Sequence, residues 1–475
     1  MSVNSNPDVA WDKVMSEVRL GRISGPYTDA PLAFFRCSPL ALREKSTPGK
    51  YRLLHDLSHP HDKTSVNEGI PDSFARVKYA DFLEALEVLI HFKEPFMCKS
   101  DIKEAFRLLP IKKDCHNLLG FKLRGFYFYD MCVPMGASSS CMTFERFSDA
   151  LKFILCDTYK VRHVVKVLDD FLFIGETTQE CEYGLQSFRH LCKLAGIPIA
   201  EEKTEGPTRV IIFLGIQIDT VNWEISIPQE KVIKYRNNIQ QVLEKGEYTL
   251  RHLKQIIGQL SFVTRIIPAG RCFLRRLHNA TVHVRRLSQV IPISPSARAD
   301  LEMWLNFLRS YNGKEILRKK PDLTSKDLHF YADASPNMYG AVFGKYYLQG
   351  IFPPSWREYN IMVLEMYPIY VMMMIFDDYL AGKSVIFHTD NQALVTVLNN
   401  QTTRHPMVMH MLRPLVLSLL QKRIKFTAFH IPGKKNITCD DLSRRQDLSR
   451  VRGLPWDATP LPLPSCLRPH NLRLE

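Results

Sequence analysis

Three carboxylates stand where a chain ordinarily buries only hydrocarbon. Asp101 closes PFMCKSDI, and sixty-eight residues later Asp169 and Asp170 interrupt VVKVLDDFLFIG. Acids inside apolar, strand-like runs are rare unless they are paired or hold a metal. An Asp-Asp turn between two apolar strands puts both carboxylates at one hairpin tip, and a third acid from a neighbouring strand completes a site for two divalent cations. Two such ions, ~4 Å apart, stabilise both the attacking and the leaving oxygen of a phosphoryl transfer. A solvent-exposed Asp-Asp turn is the plainer reading of such a pair. The apolar flanks argue against it. A second set of acids falls in the last third of the chain: Asp333 ends LHFYAD, Glu365 follows NIMVL, Asp390 ends SVIFHTD and Asp440 lies in NITCDDLSR.

The elements that must position these acids follow from the pattern around them. Over residues 31–221, strand-like runs (KYRLLHDL, PFMCKSDI, FYFYDMCVP, VVKVLDDFLFIG, VIIFLGIQI) alternate with helical ones (YADFLEALEVLIHF, ASSSCMTFERFSDALKFILCDTY). That alternation predicts an α+β arrangement, a sheet with helices on one side. Residues 222–320 turn helical, with Leu250, Leu253, Ile256, Ile257 and Leu260 at three- and four-residue spacing. This block holds 18 Lys and Arg against 7 Asp and Glu, a net +11 of the chain's +14. A basic helical block is the footprint of a polyanion track, and a solvated face is its bland counterpart. After the polar KKPDLTSKD a second αβ unit spans 326–445. Residues 1–30 are expected to be a flexible lead-in and 446–475, rich in Pro and Arg, a disordered tail.

Composition narrows the class. At 475 residues the chain has room for two to four domains on the usual size range. Its eleven cysteines form no CxxC pair and an odd total, so they read as reduced thiols of an intracellular, cytoplasmic or nuclear, protein. No secretory leader is expected in MSVNSNPDVAWDK. IMVLEMYPIYVMMMIF is interrupted by Glu365 and Pro368 and is too short to span a bilayer, so no membrane is expected. His55, His59 and His61 read as loop histidines. His410 and Arg413 fit an HxxR pattern but fall in an amphipathic helix without the rest of that constellation.

Read in order, the first 220 residues resemble a reverse transcriptase. RLLHDLSHPHDKTSVNEGIP is similar to its fingers segment, SDIKEAFRLLPI to motif A, VPMGASSSCMTFERF to motif B, VLDDFLFIG to motif C, AGIPIAEEKTEGP to motif D and FLGIQI to motif E. Six blocks in order are far more specific than any one. The resemblance implies a right-hand polymerase with fingers and palm at 31–221 and a thumb and connection at 222–320. It makes Asp101 and Asp169 ligands of two Mg²⁺ ions, with Mn²⁺ as the alternative, and places Asp170 beside them. Arg52, with Lys45, would grip the triphosphate. Phe106 would clash with a 2′-hydroxyl and so select dNTPs; a core Phe is its bland reading. Met135 and Gly136 stand where the family has Gln-Gly at the floor of the nucleotide pocket, with Gly136 allowing close approach of the template-primer. Lys203 matches a lysine that protonates the departing pyrophosphate, against a surface ion pair with Glu201, Glu202 or Glu205. Motif C departs from the family: Val167 replaces its tyrosine.

The later acids resemble an RNase H domain, where Asp333, Glu365, Asp390 and Asp440 would bind two Mg²⁺ and cut the RNA of an RNA–DNA hybrid. Pro368 is tolerated if Glu365 lies in the first helical turn. HIPGKKNITCDDLSR is similar to the end of retroelement RNase H domains, with Asp440 as the ligand and Asp441 its alternative. His430 matches a mobile histidine that assists product release. The wording of several blocks is similar to DIRS-type, tyrosine-recombinase retrotransposons. The chain is therefore expected to be one part of a larger element, or a fragment of its polyprotein, with recombinase and capsid encoded elsewhere. Implied partners are an RNA template, a DNA primer, the hybrid and dNTPs. One rival is a catalytically inactive, domesticated nucleic-acid-binding protein, opposed by the presence of all seven acids. Another is an RNA-templated RNA polymerase, opposed by Phe106.

Overall fold

The computed structural model describes residues 3–44, 49–62, 64–77, 82–310, 314–315 and 328–472. They fall into two compact units, Met1–Glu224 and Ile225–Glu475. In the first, a four-stranded antiparallel sheet has Phe96–Asp101 and Asp170–Gly175 at its centre, flanked by Val164–Val167 and Glu205–Thr208. Helices Ser140–Asp157 and Thr178–Leu194 pack against it. The shared core holds Cys98, Phe144, Phe171, Phe173, Leu185 and Phe188, each at most 4% exposed. This is the expected sheet with helices, and the strand-like and helical runs read from the sequence fall on strands and helices.

A smaller three-stranded sheet joins Ile23–Tyr27, Phe126–Asp130 and Gly120–Leu123, beside a hairpin of Leu40–Glu44 and Tyr51–His55. The lead-in expected to be flexible is instead built into this part. Pro7–Arg19 is a helix whose Ala10 and Val14 are fully buried, and Trp11 packs on Phe126 and Phe128. Its apolar side supplies the burial that the polar composition of the segment concealed. His55 is likewise no loop histidine. It ends a strand and is 3% exposed.

In the second unit, helices Gln229–Lys245, Leu250–Val263 and Pro295–Ser310 pack together, and the predicted stripe from Leu250 to Leu260 is buried. A six-stranded sheet follows in the order Lys425–His430, Ser384–Thr389, His329–Ala334, Met338–Phe343, Tyr346–Ile351, Thr459–Pro460. The first three strands are parallel to one another, and the next two pairings are antiparallel. The tail expected to be disordered is ordered here. Thr459–Pro460 adds the edge strand, and the Tyr367 hydroxyl donates to Leu467 O at 2.9 Å. Arg413 anchors structure: it pairs with the buried Asp300 at 2.7 Å. No helix among the described residues is long and apolar enough to cross a membrane.

Candidate active sites

Strand register brings the first three acids together. Asp101, the last residue of its strand, pairs directly with Asp170, the first of the next, and Asp170 also pairs with Val167. Leu168 and Asp169 form the tip, with Leu168 in the left-handed region at φ 53°. A leucine adopts that conformation at a cost, and hydrogen bonds hold it. Leu168 N–H donates to Glu145 Oε2 at 3.0 Å, and Asp169 O accepts from Ile102 N–H at 3.0 Å. Glu145 is itself fixed by Lys166, a buried lysine whose Nζ lies 2.9 Å from Glu145 Oε1. Sequence reasoning passed over both. A lone lysine inside VVKV was the same kind of signal as the acids beside it.

Electrostatics mark the cluster as short of positive charge. Burial, then the charges of Asp169 and Asp101, push Asp170 up to about 7. Burial and Asp101 also raise Asp169. Lys203 Nζ donates to Asp101 Oδ2 at 2.8 Å. Partial burial opposes its charge, yet the bond to Asp101 and the field of all three acids raise its pKa. Two of the glutamates around it are engaged elsewhere: Glu201 with Arg189 at 2.6 Å and Glu205 with Lys99 at 2.8 Å. Asp101, Asp170 and Lys203 line a cleft of about 570 Å³.

Three further candidate residues, Arg52, Phe106 and Met135, line a second cavity, of about 240 Å³. Arg52 lies near enough to Asp169 for its charge to lower that acid's pKa, though burial outweighs it. Phe106 sits in a short turn, Ala105–Leu108, and packs edge-on against Phe144 with centroids 5.8 Å apart. Gly136 requires glycine for a reason the sequence did not disclose. At φ 146°, a Cβ there would meet His55 O at 1.8 Å. The close approach is to the chain's own backbone. Lys45 lies outside the described residues.

Four elements of the second unit supply the other acids. Asp333, 5% exposed, lies in strand His329–Ala334 and accepts Ser443 Oγ–H at 2.5 Å. Glu365 accepts from Thr389 Oγ1 at 3.1 Å. Its helix begins at Ile361, capped by the Asn360 side chain on Met362 N–H, so Glu365 is past the first turn and Pro368 is interior. That corrects the expected placement. The proline forgoes a bond to Leu364 O, and the helix is held by burial from Val363 to Met373. Asp390 follows strand Ser384–Thr389, and His430 Nε2 lies 3.1 Å from its backbone oxygen.

Asp440 and Asp441 have opposite surroundings. Asp441 is covered by arginines: Arg452 Nε at 2.8 Å and Arg445 Nε at 3.0 Å hold its carboxyl well below the usual range, with the Arg452 hydrogen bond the main cause. Asp440 pairs with Arg444 at 2.6 Å and lies near enough to Asp333 for its charge to raise that acid. Burial foremost, with help from Asp390 and Asp440, brings Asp333 to about 6. Burial, then Asp390 and Asp333, bring Glu365 to about 8.

Both clusters fit divalent metal chemistry by donor type, since hard carboxylate oxygens suit Mg²⁺ or Mn²⁺. Raised carboxyl pKa values signal excess negative charge that a cation relieves. Among the described residues, no three His, Cys, Asp or Glu side chains are drawn into a ready-made metal cage. In the first cluster the oxygens engage each other and Lys203.

Fold and geometry thus define two clusters of carboxylates, each suited by donor type to divalent cations. Comparison with known proteins gives the family likeness. Residues 44–218 match the family "Reverse transcriptase (RNA-dependent DNA polymerase)", and residues 323–416 match "RNase H-like domain found in reverse transcriptase". A putative enzymatic polyprotein of cassava vein mosaic virus is 22% identical over 83% of this chain and 58% of its own length. The transposon Tf2-3 polyprotein of Schizosaccharomyces pombe is 24% identical over 74% of the chain and 25% of its own length. The chain therefore spans little more than half of the first relative and a quarter of the second. Two solved foamy viral protease-reverse transcriptase structures share the fold. One, with double-stranded DNA, has TM-score 0.51, 17% identity and coverage of 89% of this chain and 69% of that one. The other, with RNA/DNA hybrid, has TM-score 0.53, 16% identity and coverage of 90% and 54%. The chain carries a reverse transcriptase domain followed by an RNase H-like domain of the kind found in retroelement polyproteins.

Proposed function

We propose that this chain is an RNA-directed DNA polymerase with ribonuclease H activity, drawing on two separate divalent-metal centres. The observation that carries the reading is the direct pairing of Asp101 with Asp170 at a hairpin tip, beside a cavity lined by Arg52, Phe106 and Met135. Asp101 and Asp169 would hold two Mg²⁺ or Mn²⁺, with Asp170 adding charge. Bound there, such ions stabilise the attacking and leaving oxygens and neutralise the phosphates. The primer 3′-oxygen attacks the α-phosphate of a dNTP, and pyrophosphate departs.

The chain's own side chains do the rest. Arg52 suits the planar geometry of the triphosphate, with Lys45 beside it. Phe106 excludes a 2′-hydroxyl, and Met135 and Gly136 floor the pocket. Lys203 keeps its proton and stands at Asp101, placed to give that proton to the pyrophosphate. Glu201 and Glu205 pair with Arg189 and Lys99, so the partner of Lys203 is the carboxylate Asp101 and not these glutamates. In the second unit Asp333, Glu365, Asp390 and Asp440 would hold a metal pair for hydrolysis of hybrid RNA. Asp441 is buried under two arginines, whereas Asp440, paired with Arg444, lies close enough to Asp333 for its charge to raise that acid, which makes Asp440 the better fourth ligand. His430, exposed at Asp390, would assist product release.

The substrates in this reading are an RNA template, a DNA primer, dNTPs and the hybrid product. The foamy viral neighbours in complex with double-stranded DNA and with RNA/DNA hybrid support nucleic acid as the partner. The basic block at 222–320 would hold the duplex backbone, with strong salt dependence. The finer assignment is to a DIRS-type element, acting in a reducing intracellular compartment. Primer extension on an RNA template, with dNTPs against rNTPs in Mg²⁺ or Mn²⁺, tests the polymerase reading. Extension with dNTPs is expected; extension with rNTPs alone, or none in either metal, refutes it.

A further inference from the structure

A buried bridge of charged side chains runs through the wall of the nucleotide cavity, and none of the steps above uses it. Arg107 Nη1 donates to Asp130 Oδ1 at 2.7 Å and Nε donates to Glu17 Oε2 at 2.9 Å. Its other contacts are the Cys132 and Arg22 carbonyls, at 3.3 and 3.2 Å. The second oxygen of Asp130 lies 2.9 Å from His55 Nδ1, and His55 Nε2 lies 3.2 Å from Gly120 O. Side-chain exposure is 3% for His55, 5% for Asp130 and 13% for Arg107.

Each member is tied to a residue that faces the cavity. Arg107 follows Phe106 in the same short turn. His55 lies three residues after Arg52 on one strand, its N–H donates to Met135 O at 2.9 Å, and its carbonyl fills the space a Cβ on Gly136 would need. Asp130 ends the strand from which the chain runs to Met135. His55, Arg107 and Asp130 all line the 240 Å³ cavity together with Arg52, Phe106 and Met135. Stability alone does not explain such a bridge, because apolar replacements of buried ion pairs are often equally stable. A guanidinium fork fixes distances and angles that apolar packing leaves loose.

We propose that Arg107, Asp130 and His55 are positioning residues that set the spacing between Phe106 and the Met135–Gly136 floor. Through that spacing they govern affinity for the incoming nucleotide and its discrimination by sugar. The inference rests on the polymerase reading above. Single-nucleotide incorporation by the full chain, on an RNA template with a DNA primer, tests it with dNTP and rNTP in parallel. The double variant Arg107→Met/Asp130→Leu removes the pair together and takes a partner from Glu17 and from His55. It is expected to fold but to melt below the unaltered protein, to raise KM for dNTP ~10-fold with kcat little changed, and to lower dNTP-over-rNTP preference ~10-fold. Asp130→Asn keeps the shape and should move both values the same way by less. Arg107→Lys, which keeps charge but not the fork, should not restore them. A folded double variant with unaltered KM and preference overturns the proposal. Should the double variant fail to fold, unaltered values in Asp130→Asn overturn it instead. If the unaltered protein incorporates no dNTP, the polymerase reading itself fails and this inference with it. Incorporation by the unaltered protein with unmoved variants sinks the inference alone.

Discussion

The two carboxylate clusters solve one electrostatic problem by different construction. Around Asp101 the acids come from two neighbouring strands, and a single register pairing brings two of them face to face. One cation, Lys203, already answers part of their charge. Around Asp333 the acids come from a strand, a helix, a strand end and a second helix, so four independent packing relationships must all hold. Burial foremost pushes Glu365 to about 8, and the hydrogen bond it accepts at 3.1 Å comes from a neutral hydroxyl, that of Thr389. A local hairpin concentrates acids cheaply. A cluster assembled over long range depends on the fold around it.

That contrast can be broken first at Lys203. Lys203→Ala should lower primer extension ~10²-fold, the scale of a lost general acid, and leave hybrid cleavage unchanged. Arg in its place keeps the charge but holds its proton, so it should not recover the general-acid share of the rate. Next in size is Gly136→Ala. The methyl group must displace the His55 carbonyl, so thermal melting should fall by an amount equivalent to ~2 kcal/mol or more, with dNTP binding weakened.

In the second unit, Asp441→Asn and Asp440→Asn should separate stability from chemistry. Asp441→Asn leaves Arg445 and Arg452 with a weaker partner and should lower the melting temperature, while Asp440→Asn should leave it nearly unchanged and reduce cleavage. Because Asp441 has a depressed pKa in the folded state, its contribution is present at neutral pH. It is lost as pH falls below the ordinary carboxylate range towards the folded value. The smallest effect is on the metal-free protein. Glu365 has a raised pKa in the folded state, so its contribution weakens as pH rises from the ordinary carboxylate value towards about 8. Melting in chelator should therefore fall across that window, and added Mg²⁺ should restore more stability at pH 8 than at pH 5.

The first cluster was legible because its signal was local. Acids inside PFMCKSDI and VVKVLDDFLFIG announced themselves against apolar flanks, and an Asp-Asp turn between two apolar runs implied the hairpin. The stripe from Leu250 to Leu260 was legible for the same reason. What escaped depended on distant partners. Nothing near His55 in the sequence indicates Asp130, seventy-five residues away, or shows that the glycine at 136 answers the backbone at 55. The ends of the chain were misread because polar composition predicts poor burial, whereas Ala10, Val14 and Leu467 each find a ready surface. Pro368 was misplaced because helix starts are set by caps, and Asn360 caps two residues ahead of Met362.

The central claim is that the two clusters are separate catalytic centres acting on the same nucleic acid. One experiment reads both on a single substrate, an RNA template with a labelled DNA primer, by following primer extension and RNA cleavage in Mg²⁺. Asp169→Asn should abolish extension and spare cleavage of a preformed hybrid, and Asp390→Asn should do the reverse. Loss of both activities in each variant, with the fold intact by melting temperature, would contradict the account.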